Sequence, residues 1–472
     1  MKKSLQILTI TPLILSLIII INCRTSADSR TPKNIILMIA DGWGINQIIT
    51  TDYYEFGKSG NVQIYQKFPI QYFMSHYPAL SGNPKSNPLV KKGSYNPEKA
   101  WKSFDYFKKR TTDSAASATA FSTGVKTYNG SICIDLNGNP LKTIVAAVEK
   151  KGKATGVVTS VQMSHATPAC MSAHNEKRSN YNEIAREMIF KSGLEVIMGA
   201  GHPYYNEDGE KKAPSDYEYK YVGGEESWKD LTAGTAGNDA DGDGVFDKWT
   251  LIQDKEEFIA LTTGDTQKRI IGIPKVALTL QNKRIGNTLE KNNTSEPYTD
   301  QLIQTVPTLE TMVEGALNVL DNDKDGFFLM VEGGAVDWAG HSNTTPRVIE
   351  EMIDFNNAVE AVVRWTEQNS NWDETLVIIT GDHETGYLTG PNSGAIKGSP
   401  EWTKPESKGK GNLPVTQWNS TGHTNQLIPL YAKGAGSELF KEYADEVDSR
   451  RGHYIDNAEV GQLMKRLINM NQ

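Results

Sequence analysis

Ser114 lies at the start of an unusually alanine-rich segment, where its hydroxyl could accept a phosphoryl group. The sequence TDSAASATA at 112–120 predicts a helix that starts beside Asp113 and ends near Gly124. The unpaired N–H groups at the start of such a helix favour a phosphoryl oxygen. An isolated Asp-Ser pair is more often a simple helix cap, so the choice between nucleophile and cap depends on the rest of the chain.

Acidic residues and histidines follow several apolar runs and could together bind metal ions. Each has a simpler explanation alone, such as a turn residue for Asp41 or a buried neutral histidine for His423. Asp337 and His341 lie at positions i and i+4 and would share one face of a helix. Carboxylates and imidazoles without thiolates suit a catalytic two-metal zinc site better than a closed structural one. The candidates are Asp41, Glu332, Asp337, His341, Asp382, His383 and His423.

Apolar runs that alternate with helical patterns supply the elements that would position these side chains. The alternation predicts an α/β fold with a central, mostly parallel sheet flanked by helices on both faces. Open sheets of this kind bind ligands at the carboxyl ends of their strands, where the candidates lie. Strands are predicted at 34–40, 154–159, 194–198, 275–280, 327–331, 375–380 and 428–432, and helices at 141–151, 181–191, 308–320 and 347–367.

Two polar stretches, at about 83–106 and 204–257, are predicted to form surface insertions. The first is rich in Pro, Lys and Ser, and the second is rich in Gly, Asp and Lys. A third polar segment at 283–300 is predicted to be a loop.

The second insertion contains aspartates that alternate around a glycine, as in calcium-binding loops. The candidate ligands are Asp239, Asp241, Asp243 and Asp247. Thr250 stands at the twelfth position, where an EF-hand has a glutamate, so a full EF-hand is not expected. A partial calcium loop and a solvated loop both remain open. A similar pattern at 321–326 is interpreted as a solvated turn, because Glu332 at its twelfth position is needed elsewhere.

Composition and charge narrow the function classes. The chain has 472 residues, of which 38% are hydrophobic, and can bury a large core. Its formal net charge of -8 and its lack of a Lys/Arg-rich block argue against nucleic acid as a stable partner. Beyond position 23, Cys133 and Cys170 are too few to form a disulfide framework.

The first 23 residues are typical of an export signal. The sequence IINC at 20–23 resembles the cleavage site of bacterial lipoproteins, although Asn22 departs from the usual small residue. We therefore expect a signal peptide at 1–23, a lipid on Cys23, a tether at 24–33, and an exported protein attached to the membrane in the periplasm or cell envelope. An uncleaved transmembrane anchor is the alternative.

Several motifs from residue 34 onward resemble those of the alkaline phosphatase family, in the same order. The resemblance implies one catalytic domain at 34–472, outside the insertions, that hydrolyses small-molecule phosphate monoesters and forms a homodimer. The motifs lie at 34–42, 112–120, 122–127, 165–169 together with Arg178, 331–333, 337–341, 380–383 and 421–424.

The resemblance also implies a site with two zinc ions and one magnesium ion. Asp337, His341 and His423 would hold one zinc. Asp41, Asp382 and His383 would hold the second, which would also coordinate Ser114, and Asp41, Thr167 and Glu332 would hold magnesium. Ser114 would form a phosphoserine, and Arg178 would hold two phosphate oxygens with its planar guanidinium.

Two other functions remain open. One is a phosphodiesterase or sulfatase-like member of the same superfamily, but Arg178, Thr167 and Glu332 favour monoesters. The other is a non-catalytic calcium-binding surface protein. Only the aspartate loop supports that function, whereas every catalytic residue that the resemblance implies is present.

His165 and Trp338 are secondary site candidates at positions that vary within the family. Their pairing resembles that of cold-adapted marine members, and the indole lies where some members have a lysine. We expect weaker binding of the product phosphate than in members that have an acid and a lysine at these two positions. The alternative is that Trp338 packs under an insertion.

We predict that Trp338→Lys tightens inhibition by inorganic phosphate, because an ammonium beside Asp337 would attract the bound dianion. The inhibition constants of the variant and the wild type test this prediction. An unchanged constant would show that the indole does not weaken phosphate binding.

Overall fold

The computed structural model describes residues 31–470 apart from 88, 285–294 and 395–400. The predicted signal peptide, Cys23 and most of the predicted tether lie outside the described residues. Within the described ranges, no helix combines the length and apolar character needed to cross a membrane.

The described chain forms seventeen strands, twelve α-helices and several 3-10 turns. The strands are β1 Asn34–Ala40, β2 Ile70–Ser75, β3 Ala154–Gln162, β4 Val196–Ala200, β5 Gly237–Asn238, β6 Asp247–Lys248, β7 Thr250–Ile252, β8 Ile270–Gly272, β9 Phe327–Gly333, β10 Thr375–Gly381, β11 Glu384–Thr385, β12 Leu388–Thr389, β13 Gln417–Trp418, β14 His423–Thr424, β15 Ile428–Gly434, β16 Glu446–Asp448 and β17 Gly452–Asp456. The helices are α1 Ile45–Phe56, α2 Pro97–Ala100, α3 Ser114–Thr123, α4 Ile144–Glu149, α5 Ala166–Ser172, α6 Tyr181–Phe190, α7 Glu225–Ala233, α8 Lys255–Leu261, α9 Leu309–Leu320, α10 Ala335–His341, α11 Thr345–Asn369 and α12 Asn457–Asn469.

Eleven of the strands form one sheet, in the order β16-β17-β2-β15-β10-β1-β9-β3-β4-β8-β7. All neighbours from β10 to β7 are parallel, whereas β15 is antiparallel to both β10 and β2. The mostly parallel sheet with flanking helices confirms the predicted fold class. Because β10, β1, β9 and β3 are adjacent and parallel, their carboxyl ends meet at one end of the sheet.

Strand β1 shows how the sheet separates two hydrophobic cores. All seven of its residues are buried. Ile35, Leu37 and Ile39 face the core that α3, α5 and α12 cover, and Ile36 and Met38 face the core under α9 and α11. Successive side chains of a strand point to opposite faces, so a strand covered on both faces requires a continuous apolar run.

Helix α3 is buried along its whole length, which explains its alanine content. As predicted, it starts beside Asp113, which caps it: Asp113 Oδ1 accepts a hydrogen bond from Ala116 N at 3.0 Å. Gly124 ends it at φ 72° and donates to Ala120 O at 2.9 Å. Helix α12 crosses so closely that a Cβ on Gly461 would lie 2.4 Å from Ala120 O. Larger side chains would separate the two helices.

The predicted strand at 275–280 is wrong. The strand beside β4 is β8, and residues 275–280 form bends that pass the ends of β3 and β4. Leu280 N donates to Ser160 O at 2.9 Å, and Val276 O accepts from His202 N at 3.0 Å. Val276 and Leu280 are buried, so their apolar character reflects burial in a loop rather than pairing in a sheet.

The two predicted insertions are attached to the main body in part by aromatic side chains. Segment 204–257 supplies β7, an edge strand of the central sheet, and buries Trp228. In segment 83–106, Phe104 stacks on Tyr387 with ring centroids 4.4 Å apart. Both segments therefore contribute to packing as well as to the surface.

A partly buried glutamate, Glu195, directly precedes β4 beside the amino end of β3 and makes stability depend on pH. Glu195 Oε2 accepts from Thr155 N at 2.6 Å. Burial, and then the charge of Glu149, raise the pKa of Glu195 to about 8, whereas in an unfolded chain it is about 4.3. The folded protein keeps this proton at pH values where the unfolded chain loses it. The stabilisation is complete below about pH 4 and is lost as the pH rises towards 8.

We predict that Glu195→Gln is more stable than the wild type by about 1–3 kcal/mol at pH 8, with no difference near pH 4, because the amide cannot ionise. Denaturant unfolding at several pH values, with saturating metal, measures the difference. The exposed Glu98→Gln serves as the control. An equal gain there, or a gain independent of pH, would contradict the prediction.

Candidate active site

Neighbouring parallel strands carry four of the predicted ligands at their carboxyl ends. Asp41 directly follows β1, and Asp382 and His383 directly follow β10, which pairs with β1. Glu332 is the last residue but one of β9, on the other side of β1. All four side chains are fully buried. The sheet therefore brings together ligands from three distant parts of the chain.

Ser114, the first residue of α3, directs its hydroxyl at this group. Its Oγ donates to Asp41 Oδ2 at 3.1 Å and lies 3.4 Å from His383 Nε2. Asp382 Oδ2 and Asp41 Oδ1 lie 3.2 and 3.5 Å from the same nitrogen. The candidate nucleophile and the three candidate ligands of the second zinc thus form one cluster.

A second cluster combines Asp337 and His341 of α10 with His423 of β14. Nε2 of His341 lies 3.3 Å from Asp337 Oδ2, and Nε2 of His423 lies 3.4 Å from Asp337 Oδ1. The two Nε2 atoms are 3.1 Å apart. Nδ1 of His341 faces the carbonyl of Thr421 at 2.5 Å, and Nδ1 of His423 faces that of Thr112 at 2.7 Å. Carbonyls in this position accept the Nδ1 proton and leave Nε2 for an ion.

Asp337 and the two histidines of this cluster shift one another's pKa values. Burial acts to raise the pKa of Asp337, but contacts with His341 and His423 outweigh it and hold that pKa well below its usual range. Burial also acts to lower the pKa of His423, yet the Asp337 carboxylate raises it to about 9. Asp337 therefore presents a carboxylate to an ion throughout the neutral range.

A third group surrounds Glu332. Glu332 Oε1, Thr167 Oγ1 and Asp41 Oδ1 are buried and have no hydrogen-bond partner among the described residues. The other oxygen of Glu332 accepts from Thr159 Oγ1 at 2.5 Å. A ring nitrogen of His165 lies within 4.8 Å of ligand oxygens of Asp41 and Glu332. Buried oxygens without donors suit a hard cation such as magnesium.

The crowding of buried carboxylates around Asp41 suits divalent cations. Burial, and then the charges of Asp382, Asp337 and Glu332, raise the pKa of Asp41 well above its usual range. Burial and Asp337 raise the pKa of Asp382 to about 6, and burial and Asp382 raise that of Glu332 to about 7. Divalent cations would remove this repulsion. Imidazole with carboxylate suits zinc, and oxygen alone suits magnesium.

Arg178 lines a pocket of about 460 Å³ together with Ser114. One terminal nitrogen lies 3.1 Å from Asp113 Oδ2, and the other lies 3.3 Å from His165 Nε2. Asp113 therefore caps α3 and also orients Arg178. The sequence indicated only the cap, because no pattern links residues 65 positions apart.

Comparison with known proteins identifies the family. The chain matches the sequence profile described as Alkaline phosphatase over residues 32–451. The chain belongs to the alkaline phosphatase family. It is accordingly a metal-dependent phosphomonoesterase, and the predicted family and enzyme class are confirmed.

Alkaline phosphatase 3 of Bacillus subtilis is 28% identical over 500 residues, which cover 93% of this chain and 89% of that protein. Alkaline phosphatase of Escherichia coli K12 is 27% identical over 455 residues, which cover 90% and 86%. The structure of alkaline phosphatase from the Antarctic bacterium TAB5 matches with a TM-score of 0.60 and 24% identity, covering 94% of this chain and 99% of that one. This last likeness shows the shared fold.

Trp338 lines the pocket that contains Ser114 and Arg178. Its ring centroid is 6.1 Å from that of His165, and Lys283 Nζ lies 5.7 Å from the indole centroid. Both Trp338 and Lys283 line the pocket. Sequence reasoning missed Lys283, because it lies in a polar segment that indicated only a loop.

Three of the four aspartates of the predicted calcium loop lie close together. Asp239, Asp241 and Asp247 have carboxylate oxygens within 4.8 Å of one another. Lys268 Nζ lies 2.8 Å from Asp241 Oδ2 and 2.9 Å from Asp247 Oδ1, so its ammonium pairs with two of these carboxylates. Asp243 accepts a hydrogen bond within its own loop. Calcium would compete with Lys268, and its binding stays a prediction.

Gly42 sets the spacing between two ligand groups. Its N donates to Asp382 Oδ1 at 3.1 Å, and its φ is 80°. A Cβ there would lie 2.5 Å from Asp337 Cα, so any side chain must displace a ligand. Gly264 offers a matched control, because its φ is 79° and a Cβ there would have nothing within 4 Å.

We predict that Gly42→Ala lowers kcat/KM at least about 100-fold and reduces bound metal, because a misplaced ligand disrupts the site. Gly264→Ala should keep full activity and lose only about 1–2 kcal/mol of stability to backbone strain. Steady-state kinetics and metal analysis of both variants make the comparison. Equal losses of activity would show that strain, not the contact with Asp337, is responsible.

Proposed function

We propose that this enzyme hydrolyses phosphate monoesters through a phosphoserine at Ser114. The observation that carries the proposal is the position of Ser114 Oγ, 3.1 Å from Asp41 Oδ2 and 3.4 Å from His383 Nε2, at the start of a fully buried helix. A serine used only as a cap would not need buried carboxylate and imidazole partners. The helix start also carries a partial positive charge that favours a phosphoryl oxygen.

Three ions would occupy the three groups of ligands. Asp337, His341 and His423 would hold one zinc, and Asp41, Asp382 and His383 would hold the other beside Ser114. Asp41, Thr167 and Glu332 would hold magnesium. When bound, the zinc ions would supply Lewis acidity, which lowers the pKa of a hydroxyl or water and stabilises a leaving oxygen.

The residues of the chain bind the phosphoryl group and orient the nucleophile. Arg178 presents a planar fork that matches two phosphate oxygens, and Asp113 fixes its orientation. Asp41 accepts the hydrogen bond of the Ser114 hydroxyl and so aims an Oγ lone pair away from itself. Oγ gives up its proton and bonds to phosphorus as the bond from phosphorus to the leaving oxygen breaks, and that oxygen takes up a proton to leave as the alcohol. Water hydrolyses the phosphoserine, regenerates the hydroxyl and releases inorganic phosphate.

The wider biological setting is also part of the proposal. Small phosphate monoesters suit the open pocket of about 460 Å³. The sequence of residues 1–23 supports export and a lipid on Cys23, which would attach the enzyme to the membrane in the periplasm or cell envelope. The family resemblance supports a homodimer, and phosphate scavenging is the role that fits these features.

We predict that Ser114→Ala lowers kcat/KM on an aryl phosphate by roughly 1,000-fold, because the covalent route is lost. Chelation should abolish wild-type turnover, and zinc with magnesium should restore it. Acid quenching with a radiolabelled monoester should trap label on the wild type and not on Ser114→Ala. Ser172→Ala, outside the pocket, is the control and should remain active.

Retained activity and labelling in Ser114→Ala would exclude the phosphoserine route. A matched phosphodiester tests the substrate class. Faster turnover of the diester than of the monoester would favour the phosphodiesterase alternative.

A further inference from the structure

We propose that Lys283 supplies a second cation to the phosphate pocket and binds the phosphoryl group of substrate and product. Lys283 lines the same pocket as Ser114 and Arg178. The inference rests on the proposed function, because it takes this pocket as the phosphate site. It adds a substrate-binding residue that lies far from the ligand motifs in the sequence.

Two buried neighbours fix the backbone on either side of Lys283. Asn282 Nδ2 donates to the carbonyl of Ala335, the first residue of α10, at 3.4 Å. Arg284 pairs with Glu350 of α11 at 2.7 Å. Asn282 and Arg284 are 5% and 3% exposed. Lys283 is therefore held against the helix that carries Asp337 and against the helix that follows it.

A row of contacts connects Lys283 to Arg178 along one wall of the pocket. Lys283 Nζ lies 5.7 Å from the centroid of the Trp338 ring, which lies 6.1 Å from the ring of His165. His165 Nε2 lies 3.3 Å from Arg178. The electron-rich face of an indole attracts a cation at this distance. Trp338 therefore positions the ammonium, and the two rings separate the two cations.

The two cations have different geometries that suit one dianion. The guanidinium of Arg178 presents a fixed fork to two oxygens, whereas the ammonium of Lys283 is a compact charge with three donors on a flexible stem. Because both cations line one pocket, Lys283 would bind a remaining phosphate oxygen directly or through one water. Its partial exposure screens the attraction, so we expect an effect of about three- to tenfold on phosphate affinity.

The test compares Lys283→Met, Lys283→Arg and Lys275→Met in the metal-loaded enzyme. Methionine keeps apolar bulk over Trp338 and removes the charge. Lys275 is the matched control, because its Nζ lies 5.9 Å from the Tyr205 ring and it does not line the pocket. The measurements are the inhibition constant of inorganic phosphate, KM and kcat on one monoester, at low and high salt.

We expect Lys283→Met to raise the phosphate inhibition constant and KM about three- to tenfold, with kcat within about twofold. The difference from the wild type should shrink at high salt, which a purely structural role would not produce. Lys283→Arg should bind phosphate within about twofold of the wild type, and Lys275→Met should not change any constant.

An unchanged inhibition constant in Lys283→Met, or an equal change in Lys275→Met, would overturn the inference. Failure of the proposed function is visible separately, because it appears in the wild type and Ser114→Ala before any lysine is changed. A double variant tests the role of Trp338. If the indole positions the ammonium, Trp338→Leu should weaken phosphate binding in the wild type and add nothing in Lys283→Met.

Discussion

The repulsion among three buried carboxylates is the constraint on which the rest of the structure depends. Asp41, Glu332 and Asp382 are fully buried at the ends of adjacent strands. Beyond the effect of burial, the charge of Asp382 raises the pKa values of both Asp41 and Glu332, and the charge of Glu332 also raises that of Asp41. Burying an ionised carboxylate costs several kcal/mol, and a loop would move to avoid it. Parallel strands that pack against a core on each face cannot move apart easily. The sheet therefore keeps the carboxylates together until cations offset their charge, and metal binding to this folded arrangement also stabilises it.

The nucleophile is fixed with similar rigidity. All residues of α3 are buried, and Asp113 at its start accepts hydrogen bonds from Ala116 N, Gly130 N and Arg178. One carboxylate thus sets both the direction of the helix that carries Ser114 and the position of the phosphate-binding guanidinium. Such preorganisation reduces the entropy that must be lost when substrate binds.

Much of the fold was predictable where one physical signal dominated. Strand β1 was predicted with its observed bounds, because burial on both faces leaves a continuous apolar run. The start and end of α3 followed from Asp113 and Gly124. The strand predicted at 275–280 failed because a buried loop has the same composition. Strands β2 and β17 were not predicted. They lie on the half-exposed side of the sheet, and their polar residues interrupt the apolar run that indicates a buried strand.

In the candidate site, too, some features were predictable from the sequence and others were not. The ligand residues were found because carboxylates and histidines after strands indicate metal chemistry. The link between Asp113 and Arg178, and the position of Lys283 on Trp338, depend on side chains that the fold brings together from separate segments. The residues of such pairs are far apart in the sequence, so no local pattern indicates that they are in contact.

The packing of α12 on α3 has a consequence for when activity appears. Asn457 Nδ2 donates to Ser117 Oγ across 340 positions at 2.9 Å, and Ser117 Oγ in turn donates to Asp382 O at 2.8 Å. A ribosome, or a pore that threads the chain from its amino end, releases Ser114 long before Asn457. Until then α3, which carries the nucleophile, lacks the packing of α12. Every partial chain that lacks α12 should therefore be inactive. Activity should appear in one step, once α12 has emerged and packed against α3.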